Sequence, residues 1–335
     1  MNRSDAGRRV VSIPGLFGIA VLLVVTSVIW LPLTVVADLL RGRFRLPTTR
    51  LLGFALCWAW LESAGVIASF AFFVVGRSRS ERLHFALQRW WAARLLAALK
   101  ATCGISVSVE NAECMAPGPV VMFARHASLA DSLVSAYVIT SVARMNPHYV
   151  LKRELLVDPC LDVVGQRLPN HFLDRSAVDA EPELLALEAI TARLDAGSVG
   201  VIFPEGTRAN PAKRDRAIAK ISGSDAERAA RLAPMKHLLP VRPAGAAAML
   251  RGAPEADVVF AWHVGFEGLD TFGGILKALS HRIEPIRFVM NRVSRSDVAS
   301  PARDNMTLFT EWLDTEWLRL DQEVDAALAE RRNHG

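Results

Sequence analysis

The segment Arg125-His126-Ala127-Ser128-Leu129-Ala130-Asp131 holds the pair of side chains in this 335-residue chain best suited to moving a proton. It follows an apolar run and opens a helical one. Near neutral pH an imidazole can take a proton from an alcohol. A carboxylate on the other ring nitrogen fixes the tautomer and stabilises the imidazolium that forms. A five-residue offset, across a turn into a helix, lets Asp131 reach back to His126. The pair alone is a weak signal, since a His and an Asp at one given spacing often meet by chance. His84, His148, His171, His237, His263 and His281 have no Asp at that offset and read as structural or surface residues.

Three further patterns follow in order. Phe172-Leu173-Asp174-Arg175 ends an apolar run on an arginine, and Phe203-Pro204-Glu205-Gly206-Thr207-Arg208 leaves another through a tight glycine turn. A guanidinium fork matches a phosphate, and α/β folds put their ligands on loops at strand ends. The last, Leu238-Leu239-Pro240-Val241-Arg242-Pro243, is an apolar run broken by prolines. No zinc-type ligand spacing occurs, and neither Ser128 nor Ser132 sits in a Gly-x-Ser-x-Gly elbow, which argues against a serine hydrolase.

Taken together, His126…Asp131 and the three patterns after it resemble the glycerolipid (PlsC-like) acyltransferase family over residues 115–245. The Phe-Pro-Glu-Gly-Thr-Arg element is the most specific part. Residues 235–240 and the stretch from Trp312 to Asp321 are similar to the branch containing lysocardiolipin and related lysophosphatidic acid acyltransferases. One departure is Arg125, where the family usually has Asn.

The resemblance implies that His126 deprotonates a lysophospholipid hydroxyl as it attacks an acyl thioester, acyl-CoA or acyl-ACP, with Asp131 orienting His126. It implies that Arg175 and Arg208 hold the lipid phosphate, and that Asp174, Glu205, Gly206, Thr207 and Pro240 shape the substrate site. Backbone N–H groups near the start of the helix at Ala130 are candidate oxyanion donors. The acceptor expected first is 1-acyl-glycerol-3-phosphate, giving phosphatidic acid. A lysocardiolipin or lysophosphatidylglycerol acceptor, a CoA-independent transacylase and an inactive membrane-binding homologue are the alternatives. A thioester is already activated, so no cofactor or metal is expected.

The elements that must position these groups alternate between strand and helix. Strands are expected at 105–109, 120–124, 149–152, 172–174, 199–203, 238–242, 258–264 and 286–290. Helices are expected at 130–143, 182–196 and 306–331. This is an α/β pattern, a mixed sheet flanked by helices over residues 101–335.

Ahead of it lie two apolar segments, expected as a membrane-embedded helical hairpin within residues 1–76. Residues 10–37 carry no charge, and residues 51–75 carry only Glu62. Arg3, Arg8 and Arg9 precede the first, Arg41, Arg43, Arg45 and Arg50 lie between, and Arg77, Arg79 and Arg82 follow. No flank is poor in arginine, as one side of a two-span hairpin should be. Either the connector crosses against that rule, or the hairpin dips into one leaflet and returns. Pro32 and Glu62 favour the shallow hairpin. Glu62 itself is expected to reach interfacial water or a connector arginine.

Residues 77–100 read as a basic amphipathic interfacial helix, with Leu87, Trp91, Leu95 and Leu99 on one stripe and Trp90–Trp91 at headgroup depth. The net charge of +5, with 51% hydrophobic residues, suits an anionic lipid surface better than nucleic acid. Four cysteines without a paired spacing favour a catalytic domain facing a reducing cytoplasm.

Overall fold

The computed structural model describes residues 3–174, 179–269 and 271–334. Its helices are α1 (Arg3–Val25), α2 (Ser27–Leu40), α3 (Pro47–Val74), α4 (Glu81–Cys103), α5 (Asp131–Tyr137), α6 (Pro159–Val163), α7 (Glu181–Thr191), α8 (Pro211–Ser222), α9 (Ala226–Leu232), α10 (Pro243–Gly252), α11 (Phe272–Leu279) and α12 (Met306–His334). The strands are β1 (Val107–Glu110), β2 (Val120–Ala124), β3 (Asn146–Lys152), β4 (His171–Leu173), β5 (Ser198–Ile202), β6 (Asp257–Val264) and β7 (Ile286–Val293).

The strands form one sheet in the order β1-β7-β6-β2-β5-β3-β4. All pairings are parallel except β6–β7, so the sheet is mixed as expected. β2 and β5 are buried along their whole length because both faces are covered, which is why they read as unbroken apolar runs. One core lies between the sheet and α7, α10 and α12, and the other between the sheet and α4, α5 and α11.

Residues 238–242 are not a strand. Pro240 and Pro243 deny the segment a ladder, and its amides go elsewhere: Leu238 N donates to Asp321 Oδ1 (2.8 Å), Leu239 N to Glu205 Oε2 (2.9 Å) and Arg242 N to Pro204 O (2.9 Å). The Trp312–Asp321 stretch braces this loop from α12. Asp321 also accepts from Lys236 N and His237 N, while Trp317 Nε1 donates to Leu239 O (3.1 Å). The expected helix at 130–143 starts at Asp131 and passes into a π-turn over Val138–Val142.

The first apolar segment breaks at Thr26, so three helices precede α4 rather than two. Asp38, buried near the end of α2, caps α3 by accepting from Thr48 N (2.9 Å) and Thr49 N (3.3 Å). α3 then runs antiparallel to α4 and is tied down along its length. Arg50 donates to Thr102 O and Leu279 O (3.0 Å each) and to Cys103 O. Trp91 Nε1 donates to Glu62 Oε1 at 2.9 Å, and Ser69 meets His84 Nε2 (3.2 Å) and Arg167. Glu62, 1% exposed, therefore reaches neither water nor a connector arginine. Trp91 turns inward with Leu87, Leu95 and Leu99, leaving Trp90 as the exposed ring of that pair. The amphipathic helix thus covers the sheet, in register with its Ser80 cap and the left-handed Gly104 that ends it.

Candidate active site

The expected base and its partner meet in the loop that leaves the C-terminal end of β2. His126 Nδ1 lies 2.8 Å from Asp131 Oδ2. The same oxygen accepts from Ala127 N (2.7 Å) and Ser128 N (2.8 Å), and Oδ1 accepts from Ser128 Oγ. The loop is wound around this carboxylate. Burial alone would raise Asp131, but His263, His126 and Ser128 outweigh it and hold the group well below the usual carboxylate range. An ionised acceptor on Nδ1 requires the proton there, which leaves Nε2 as the basic nitrogen. The His126 ring is 16% exposed, and no described residue bonds its Nε2.

Winding the loop this way engages three of the amides near the start of α5. Ala127 N and Ser128 N face Asp131, and Ala130 N donates to Ser128 Oγ (3.1 Å).

Glu205 does not line the site as expected. It is buried, with Oε1 accepting from His126 N (2.7 Å) and Oε2 from Leu239 N (2.9 Å). It therefore ties the His126 loop to the proline-broken loop. Burial pushes its carboxyl up to about 8, against the pull of those two amides and Arg125. Gly206 turns the chain at φ +74°, and a Cβ there would sit 3.2 Å from the Arg242 guanidinium. Ala209 N closes the turn on His126 O (2.7 Å). Pro240 is buried behind Glu205 rather than open to a substrate.

Arg208 is half-buried, and its Nη1 is a buried donor without a hydrogen-bond partner among the described residues. Such a donor is costly unless a ligand supplies an acceptor. Lys213, not singled out from sequence, approaches the same turn, with Nζ 3.0 Å from Arg208 O and 3.4 Å from Thr207 Oγ1. Asp174 accepts from Arg153 Nη1 (2.8 Å). Arg175 lies outside the described residues.

Sequence spacing also missed His263, read as structural or surface and found buried with Nε2 3.1 Å from Asp131 Oδ1. Only pairing of β6 with β2 brings them together, and no local signal marks it. Arg125 is buried as well, and donates from Nη1 to His263 O. The departure from Asn at 125 leaves the His126–Asp131 contact intact.

Two residues beyond His126 begins a cavity of about 460 Å³, within the size range of ligand pockets, ~300–1,000 Å³. Ser128, Leu129 and Leu133 line one side, and Phe54 and Trp58 of α3 with Leu95 of α4 line another. It is a largely apolar slot between α3, α4 and the sheet.

Residues 106–249 match the family model described as Acyltransferase. No curated protein matches the chain by sequence. Among solved structures the chain is similar to the 1-acyl-sn-glycerophosphate (LPA) acyltransferase PlsC from Thermotoga maritima, with a TM-score of 0.51 and 17% identity. The match covers 84% of this chain and 98% of that one, and it extends the likeness in fold beyond the family segment. Thus residues 106–249, with His126, Asp131 and the Glu205–Arg208 turn among them, match the Acyltransferase family model, and the chain shares the fold of that PlsC structure.

Proposed function

We propose that the protein moves a fatty acyl group from an acyl thioester to the free hydroxyl of a lysophospholipid, with 1-acyl-glycerol-3-phosphate as the acceptor to test first. The carrying observation is the His126–Asp131 pair, with Nδ1 fixed and Nε2 unengaged, at the start of an apolar cavity. His126 Nε2 takes the hydroxyl proton as the oxygen bonds to the thioester carbonyl carbon. The tetrahedral intermediate then breaks its C–S bond, and the departing thiolate recovers the proton from His126. Asp131 keeps the ring in the right tautomer throughout. The unmet Nη1 donor of Arg208 takes the phosphate, with Arg175 as a second cation. The acyl chain lies in the slot between α3, α4 and α5. Acyl transfer by the purified protein across a panel of lysolipids, read by mass spectrometry with and without thioester, tests the reading. Thioester hydrolysis without any acylated lysolipid would defeat it, and product formed without thioester would favour a transacylase.

The same reading puts the enzyme on a membrane. Exposed apolar side chains such as Leu22, Val28, Leu33, Phe44 and Phe70 stud α1–α3 and their connector, beside the basic collar. Because Arg50 bonds carbonyls of α4 and α11, the connector lies against the α/β domain, and the anchor inserts into one leaflet. Phe44 is 81% exposed. A single cysteine at that position, with the native four removed, should label from the cytoplasmic face only. Labelling of F44C by an impermeant reagent from outside would establish a spanning hairpin instead.

A further inference from the structure

Asp131 faces two imidazoles. β6 runs past the end of β2, where Ala124 pairs with Ala261, and so carries His263 beneath the loop that holds Asp131. The His263 ring is set by Phe266 edge-on (5.2 Å) and Phe288 stacked at 17° (6.3 Å). Its main-chain carbonyl is held by Arg125 Nη1. Neither ring nitrogen makes a hydrogen bond to a described residue within normal angular limits, yet Nε2 stands 3.1 Å from Asp131 Oδ1. A buried imidazole so placed has the carboxylate as its natural partner, and a small rotation aligns the pair.

We infer that His263 is a positioning residue for acyl transfer, holding Asp131 from the side away from His126 and thereby setting how basic His126 is. The inference rests on His126 acting as the base. A donor on Oδ1 draws negative charge from the carboxylate, so less remains at Oδ2 to stabilise an imidazolium at His126. Removing that donor should move the acid limb of the rate profile to higher pH. The sign is the same whether His263 is neutral or charged, since losing a nearby cation also favours a proton on His126. The other charged groups around the pair are Arg125 and Glu267 near the His263 carbonyl, Glu205 on His126 N, and Arg331, whose Nη1 reaches Val264 O (3.4 Å). None of them occupies Oδ1.

The test is the pH profile of kcat and KM for His263→Met and His263→Gln. Met fills the space without a donor, while the Gln amide nitrogen can stand where Nε2 stands. For Met, kcat should fall about tenfold with KM little changed, and the acid limb should move to higher pH. Gln should restore most of both. A Met variant with the wild-type limb and kcat would overturn the inference, as would Met and Gln losing activity equally with no movement of the limb. If His263→Met does not fold, His263→Asn replaces it, because its shorter amide cannot reach Oδ1. A limb shifted in Asn and normal in Gln supports the inference, and matching profiles overturn it. Activity surviving in His126→Ala would defeat the base assignment itself, a result distinct from any of these.

Discussion

Two loops at neighbouring strand ends each turn on a buried carboxylate, and the two carboxylates behave in opposite ways. Asp131 and Glu205 are both 2% exposed. Asp131 is met by His126 Nδ1, Ala127 N, Ser128 N, Ser128 Oγ and His263, and stays far below the usual range. Glu205 is met by two amides, and burial carries it up to about 8. The desolvation penalty is common to both, so the number of donors and their charge decide the outcome. One loop keeps a fixed negative charge beside the His126 imidazole. The other uses its carboxyl as a brace, joining the His126 loop to residues 238–242.

The largest effect should come from the first loop. His126→Ala should abolish acyl transfer while circular dichroism and membrane association stay unchanged. Asp131→Asn should lower kcat by about a hundredfold or more, because an amide cannot hold the required tautomer. It also turns an NH₂ either towards the two amides that now donate to Oδ2 or towards the Ser128 hydroxyl that donates to Oδ1. More than a tenth of wild-type activity in His126→Ala would end the proposed mechanism.

Arg208, on the second loop, should show the next effect. Its substitution by Ala should cost about 1.5–3 kcal/mol of acceptor binding or turnover, the range for hydrogen bonds to charged groups. Lys should restore only part, because an ammonium lacks the planar fork. An equal loss on a lysolipid without phosphate would mean that Arg208 supports the turn rather than the ligand.

How much of this could be read from the sequence differs between the two loops for a physical reason. His126 and Asp131 lie in one turn, so spacing alone brought them together, and β2 matched residue for residue because a strand buried on both faces has an unbroken apolar code. Glu205 was legible as part of a motif, but not the direction of its carboxyl, which depends on a loop 34 residues away. His263 is 132 residues from Asp131 (263 minus 131), and only strand register joins them. The apolar run at 238–242 imitated a strand until its prolines and the Asp321 carboxylate were accounted for. Helix α8 went unforeseen because it is polar and buries nothing. Its start rests on the Asn210 side chain accepting from Lys213 N and on Pro211. Glu62 shows the converse, since its indole partner on the next helix is invisible in an apolar segment.

The smallest effect on catalysis, and the sharpest test of the comparison, should come from Glu205→Gln. Gln keeps one acceptor oxygen but turns its NH₂ towards the second amide, so the brace loses a bond while the His126–Asp131 contact survives. Turnover should fall only a few-fold. Stability carries the decisive signature. A Glu raised to about 8 in the folded state, from an ordinary value near 4.5, binds its proton more tightly when folded. Its contribution to stability is therefore complete below the unfolded value and is lost as pH rises through the folded one. Gln cannot titrate, so the melting-temperature gap between Glu205→Gln and wild type should be widest near about pH 5 and narrow towards about pH 8.5. Asp131→Asn should behave oppositely. A depressed carboxyl contributes stability that is present above the unfolded value and lost only as pH falls through the folded one, so its gap should stay flat across that window. Two flat gaps would mean that Glu205 is ionised like Asp131, and that two amides with Arg125 nearby are enough to hold a buried charge.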